Sequence, residues 1–257
     1  RRRDGLEHPV EWMQKMLVFS DDDGCTWSEP ENLAYLVRPG KRSVRACPGR
    51  GICMSDGTLV FPFHHLDSNE KFDGNTLAYS KDHGKTWRLS PASCGHGTTE
   101  AQIAEIKPGT IMITSRLEDK KRRWREVYTT SDLGATWTEH PSSRKLPDPN
   151  CMASILSAPA AGSQLLGGST VNGSSLKNDV LLFCNCASTK RRLNKTVRAS
   201  IDGGLTWSDG LLLDEGRSLG YSCMTMIDGD TVGVLYESST GHLVFQKIPL
   251  KDIVKQL

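Results

Sequence analysis

Long apolar runs are missing from this chain. No stretch approaches the roughly 18 consecutive apolar residues of a membrane-spanning helix, which excludes a helical span. Sustained helical periodicity is missing as well, except over residues 250–257, and with it any helix bundle or coiled coil. Neither sign of charge is in excess: 32 Lys and Arg stand against 30 Asp and Glu, a formal net charge of +2. That balance speaks against a disordered chain and against a general polyanion binder. Aromatic residues make up only 7%. The eight cysteines are scattered, and the one close pair, Cys184 and Cys186, is separated by a single residue, too few for a zinc-ribbon pair. Free, mostly buried thiols are expected rather than a disulfide framework. The chain opens on Arg1 with no charged-then-apolar leader, as expected of a processed or incomplete chain. Two sequons, Asn172-Gly173-Ser174 and Asn194-Lys195-Thr196, are too short a pattern to fix a compartment.

What the chain does have is length and turns. Its 257 residues suffice for one large β domain or two small ones, and 24 Gly with 12 Pro point to many short elements. One eight-residue pattern, Ser-X-Asp-X-Gly-X-Thr-Trp, occurs four times, at 20–27, 80–87, 130–137 and 200–207. Only the third copy departs, with Thr130 in place of Ser. From Asp22 to Asp82, Asp132 and Asp202 the steps are 60, 50 and 70 residues, each long enough for a four-stranded blade with loops of varied length. The pattern has a local physics. The Asp side chain accepts backbone N–H groups within a turn, Gly supplies a positive φ, and Trp covers the hairpin. A β-like run precedes each copy, at 15–19, 75–79, 125–129 and 195–199, and further strands are expected at 58–63, 110–115, 179–184, 231–237 and 243–248. The sum is a repetitive antiparallel β protein, best accommodated by a β-propeller.

The four repeats resemble the Asp boxes, or BNR repeats, of the exo-α-sialidases (neuraminidases), and the resemblance extends over essentially the whole chain. It implies an all-β fold, a single six-bladed propeller over residues 1–257 whose first blade is incomplete at the N-terminus. The box itself is a structural turn, so chemistry has to come from other residues. A sialoside carries a carboxylate at its anomeric carbon. A site for it needs arginines, whose planar fork grips a carboxylate in bidentate fashion. It also needs a nucleophile that is not itself an anion, and a tyrosine activated by a neighbouring base meets that condition.

The segment Gly220-Tyr221-Ser222-Cys223-Met224-Thr225-Met226 is similar to the family segment that carries the nucleophile, which implies that role for Tyr221. Thr99-Glu100-Ala101-Gln102-Ile103-Ala104-Glu105 resembles the stretch whose first glutamate activates that tyrosine; Glu100 is the expected base and Glu105 the alternative. Met112-Ile113-Thr114-Ser115-Arg116 looks like the strand ending in a carboxylate-binding arginine, Arg116. A second such arginine is expected at Arg192, with Arg191 and Arg198 as neighbouring registers. Arg2-Arg3-Asp4 resembles the segment with the acid/base aspartate, here Asp4, and Leu235-Tyr236-Glu237 the late glutamate that orients the first arginine of the triad. That first arginine, normally within an Arg-Ile-Pro motif ahead of the aspartate, is absent, and the natural protein is expected to extend further toward its N-terminus. Cys47-Pro48-Gly49-Arg50-Gly51-Ile52 is similar to a family turn that leads into an inner strand.

Other motifs carry less. His64 and His65 are adjacent, so on a strand they face opposite ways, and no second cluster answers them; no metal or other cofactor is expected. The basic run Lys120 to Arg125 reads as a charged hairpin tip rather than a nucleic-acid surface. The resulting expectation is a retaining exo-α-sialidase acting on sialylated glycans of glycoproteins, gangliosides or oligosaccharides, with hydrolysis and transfer not separable. The alternative is a catalytically idle propeller that binds sialylated glycans or a protein partner. No nucleic-acid partner is expected, and oligomeric state stays open.

Overall fold

The computed structural model describes residues 15–37, 43–67, 69, 71–158, 179–257 and, for the backbone alone, 170–171 and 174–175. A two-stranded ribbon comes first, β1 (Met16–Leu17) with β2 (Glu31–Asn32). Four antiparallel blades follow in a propeller-like arrangement. The first has β3 (Ser43–Ala46) and β4 (Ile52–Cys53) both paired to β5 (Leu59–Leu66), then β6 (Phe72–Ser80) and β7 (Arg88–Leu89). The second runs β8 (Thr98–Lys107), β9 (Thr110–Leu117), β10 (Glu126–Thr130), β11 (Thr138–Glu139). The third starts at β12 (Ser154–Ala158), passes a separate small hairpin of β13 (Thr170–Val171) and β14 (Ser174–Ser175), and continues as β15 (Val180–Cys186), β16 (Lys195–Ser200) and β17 (Leu211–Asp214). The fourth is β18 (Ser222–Met226), β19 (Thr231–Glu237) and β20 (Leu243–Pro249), followed by helix α1 (Leu250–Val254). Every strand expected from the sequence is present, as is the helix at the end.

The blades stack face to face, so their middle strands are buried on both sides. β15 is buried throughout and β9 at all but one position, which is why these runs read as continuous apolar sequence rather than strict alternation. The core is divided among the interfaces between neighbours. Leu33, Leu36, Val44, Phe63, Ala78 and Trp87 join the ribbon to the first blade. Met54, Val60 and Leu77 meet Ala101, Ile103 and Ile111 between the first and second. Met112 and Val127 meet Ile155, Leu181 and Phe183 between the second and third. Leu182 and Val197 meet Met224, Val232 and Val234 between the third and fourth, where Ile253 and Val254 of α1 also enter.

Each repeat forms the turn its residues suggest. In the second copy Thr86 donates its N–H to Asp82 Oδ1 (2.9 Å) and its hydroxyl to Oδ2 (2.6 Å), while Ser80 Oγ bonds Asp82 and accepts the Gly84 N–H (2.7 and 2.8 Å). Gly84 sits at φ +87°. Thr130 supplies the same hydroxyl in the third copy (2.7 and 2.9 Å), so its replacement of Ser costs no contact. The tryptophans differ more than the pattern suggests: Trp87 is 5% exposed, Trp27 62%.

Four blades and the ribbon lie among the described residues. The run from Lys120 to Arg125 does link β9 to β10, yet Arg125 is fully buried and is no part of a solvated tip. All eight cysteines are free, four of them buried. Among the described residues no group of three or more His, Cys, Asp and Glu is placed to hold a metal ion, and no helix is long and apolar enough to cross a membrane.

Candidate active site

The site begins with an irregularity in β8. Thr99 pairs with Arg116 and Ala101 with Ser115, which leaves Glu100 as the extra residue of a β-bulge, a device that re-aims a side chain. Arg116 lies at the same end of the blade, near the close of β9. Two strands away Thr130, which opens the repeat turn, pairs with Ile111, itself opposite Glu105. The repeats therefore occupy the rim opposite Glu100. Five residues of extended chain, roughly 16 Å, separate the two glutamates, and Glu105 accepts from Ser55 (2.7 and 2.9 Å) and from the Gly109 N–H (2.7 Å) on that far rim.

On the fourth blade Tyr221 sits immediately ahead of β18. Its N–H donates to Glu237 Oε2 (2.7 Å) and its carbonyl accepts the Glu237 N–H (3.1 Å). This clamp fixes the backbone from which the phenol projects. The phenol hydroxyl donates to Glu100 Oε1 in a very short contact, across 121 positions of sequence. Arg116 Nη1 donates to the other oxygen of Glu100 (2.6 Å) and lies 3.4 Å from the phenol oxygen; its Nε stands 3.1 Å from Glu118. Arg192 places its guanidinium 5.9 Å from the centre of the Tyr221 ring, within cation–π range. Of the three arginines left open by the sequence, Arg192 is the one over the ring, Arg191 lines the cavity beside it, and Arg198 bonds Asn185 (3.4 Å). Asp4 lies outside the described residues.

Burial, reinforced by the Glu100 carboxylate, pushes the Tyr221 hydroxyl well above the ordinary phenol range, against a smaller opposing pull from Arg116. The phenol is thus neutral at physiological pH and depends on a base to become a nucleophile. Burial by itself lowers Arg116, but its hydrogen bond and charge contact with Glu100 outweigh that and hold it above the usual value. Burial also raises Glu118. The arrangement can bind an anion and pass a proton from a phenol to a carboxylate.

Several supporting residues escape the sequence reading. Arg125, fully buried, faces Asp148, also fully buried, at 3.5 Å, and donates to the Cys151 carbonyl (2.7 Å) while Asp148 accepts the Cys151 N–H (2.8 Å). This pair holds the segment 148–151, within which the Asn150 carbonyl accepts from Arg192 Nη2 (3.3 Å). Arg192 Nη1 reaches the Leu219 carbonyl (2.6 Å), and buried Lys195 donates to the Gly220 carbonyl (2.5 Å). The one available signal was the turn-forming run Asp148-Pro149-Asn150.

A family model described as a BNR repeat-like domain matches residues 6–234. Curated sialidases are similar over nearly the whole chain: one from Bacteroides fragilis (strain YCH46) is 48% identical, covering 94% of this chain and 42% of the relative. The chain belongs to the sialidase family with BNR repeats. A sialidase from Micromonospora viridifaciens is 34% identical over 88% of the chain and 34% of its own length. Among solved structures, the Hadza microbial sialidase Hz136 is 47% identical with a TM-score of 0.83, over 93% of this chain and 44% of that one. The chain therefore spans less than half the length of these sialidases.

Proposed function

We propose that this sialidase-family chain forms most of a six-bladed propeller that acts as a retaining exo-α-sialidase, with Tyr221 as nucleophile and Glu100 as its base. The single observation that carries the reading is the Tyr221 hydroxyl bonded to Glu100 with Arg116 against both. Arg116 and Arg192 grip the sialic acid carboxylate. As the phenol oxygen bonds the anomeric carbon, its proton passes to Glu100, and the glycosidic oxygen leaves with a proton from Asp4. Water then attacks the same carbon and gives a proton to Asp4, while the released phenolate recovers its proton from Glu100. Glu237 acts through the Tyr221 backbone. A neutral phenol suits this substrate because no negative charge approaches the bound carboxylate before proton transfer.

Tyr221→Phe keeps the ring over which Arg192 lies and removes only the hydroxyl. Release of the fluorophore from an aryl sialoside is expected to fall by a factor on the order of a thousand or more, with the circular dichroism spectrum unchanged. Turnover at the wild-type rate would refute the assignment. Wild-type protein that binds sialyllactose yet releases no sialic acid would instead mark the chain as a binding propeller.

A further inference from the structure

A cavity of about 510 Å³ opens beside Arg192, and Lys190, Arg191 and Arg217 line it together with Arg192. No carboxylate is among its lining residues. In a chain whose charges nearly cancel, four cations around one cavity are a local concentration. The floor is fixed by backbone contacts between two loops: the Ser218 N–H donates to the Arg192 carbonyl (2.9 Å), the Asn194 N–H to the Glu215 carbonyl (3.4 Å), and Arg192 Nη1 to the Leu219 carbonyl. The side chains of Lys190, Arg191 and Arg217 make no hydrogen bond or ion pair with another described residue, while the backbone N–H groups of Lys190 and Arg191 are anchored on Ser188. These cations are thus held on an ordered floor and left unneutralised. A single sialic acid carboxylate gripped by Arg116 and Arg192 leaves the other three uncompensated.

We propose that this cavity is a second anion subsite, contiguous with the sialic acid carboxylate site, for a second carboxylate or sulfate on the same glycan. The preferred substrates are then dianionic sialylated oligosaccharides. The proposal rests on the function put forward above, because Arg192 is shared between the two sites. Guanidinium groups bond carboxylate and sulfate oxygens in the same forked geometry, so the two chemistries are distinguished by experiment.

The Tyr221→Phe protein, which preserves intact glycans, is titrated calorimetrically with sialyllactose, with an α2,8-linked disialyllactose and with a sulfated sialyllactose. The expected result is about tenfold tighter binding of one or both dianionic glycans. Adding Arg191→Ala and Arg217→Ala should bring them to within about twofold of sialyllactose, whose own Kd stays unchanged within that margin. Lys247→Ala with Lys251→Ala, which removes two exposed cations at β20 and α1, should leave the preference intact. Equal binding of mono- and dianionic glycans overturns the subsite while leaving the sialidase reading standing. So does a preference lost equally in the Lys247/Lys251 control, which would mark it as diffuse charge attraction. Failure of all three glycans to bind overturns both.

Discussion

At the residue scale, the two glutamates of one strand show what decides a role. Glu100 and Glu105 lie in the same run and either fits a base by type. The bulge at Glu100 and the bonds of Glu105 to Ser55 and Gly109 separate them, and neither can be read from residue identity. Gly220 is a second case. Its φ of +98° disfavours any side chain, and a Cβ there would stand 2.8 Å from Cys151 Sγ, 3.1 Å from Cys186 Sγ and 3.2 Å from Arg192 Cδ. The two sulfurs and the arginine close the space under the Tyr221 segment, while Lys195 holds the Gly220 carbonyl. Gly220→Ala should therefore displace Tyr221 or Arg192 by a fraction of an ångström and lower kcat/KM for a sialoside by up to about a hundredfold. Steady-state kinetics beside a thermal melt checks this; unchanged kinetics with a lowered Tm would confine the glycine to a structural part.

At the element scale, the turns of the repeats were legible because the hydrogen bonds that hold each Asp carboxylate come from within the same eight residues, whereas the burial of their tryptophans was not, since it depends on neighbouring strands. Hydrogen bonds from the side chain and backbone of Thr86 and from Ser80 hold the Asp82 carboxyl down at about 2. Asp22 is likewise held at about 2, with the Thr26 hydroxyl leading, and Asp132 at about 2, with the Thr136 N–H leading. In the unfolded chain an aspartate titrates near 3.9. The stabilisation is accordingly complete above about pH 4 and disappears as pH falls through about 2, since the unfolded chain takes up these protons first. The Tm should drop across that window, and Asp82→Asn, insensitive to protonation, should lower Tm at neutral pH while flattening the acid drop. Thermal unfolding at stepped pH tests it, and identical slopes for the two proteins would contradict it. The strands were legible for the same reason of locality. The burial of two cations was not: Arg125 ends a basic run that reads as a charged tip, and its burial depends on Asp148, 23 positions away, while that of Lys195 depends on the Gly220 carbonyl, 25 positions away.

At the scale of the whole molecule, the site belongs to no single blade. Glu100 and Arg116 come from the second, Arg192 and Asn150 from the third, and Tyr221 and Glu237 from the fourth. Arg50 of the first blade donates to the Met224 carbonyl of β18 (3.1 Å) across 174 positions, and Gln102 ties β8 to the Pro48 carbonyl (2.6 Å), so the inner strands are cross-linked around the centre. The apolar clusters between blades then set the spacing of the proposed catalytic groups as well as the stability. Phe183 is fully buried between the second and third blades and packs against Trp207 with ring centres 5.7 Å apart. Truncation to Ala should cost about 3–5 kcal/mol. It should also loosen the distance from Arg116 to Arg192, which relies on that interface, so the KM for a sialoside should rise while folded protein is still in excess. Leu243, 70% exposed on β20, should tolerate Ser with little change in either quantity. Urea unfolding beside KM, measured well below the melting temperature, tests the link. A Phe183→Ala protein that is destabilised but has an unaltered KM would show that the site is held by its own hydrogen bonds, independently of the packing between blades.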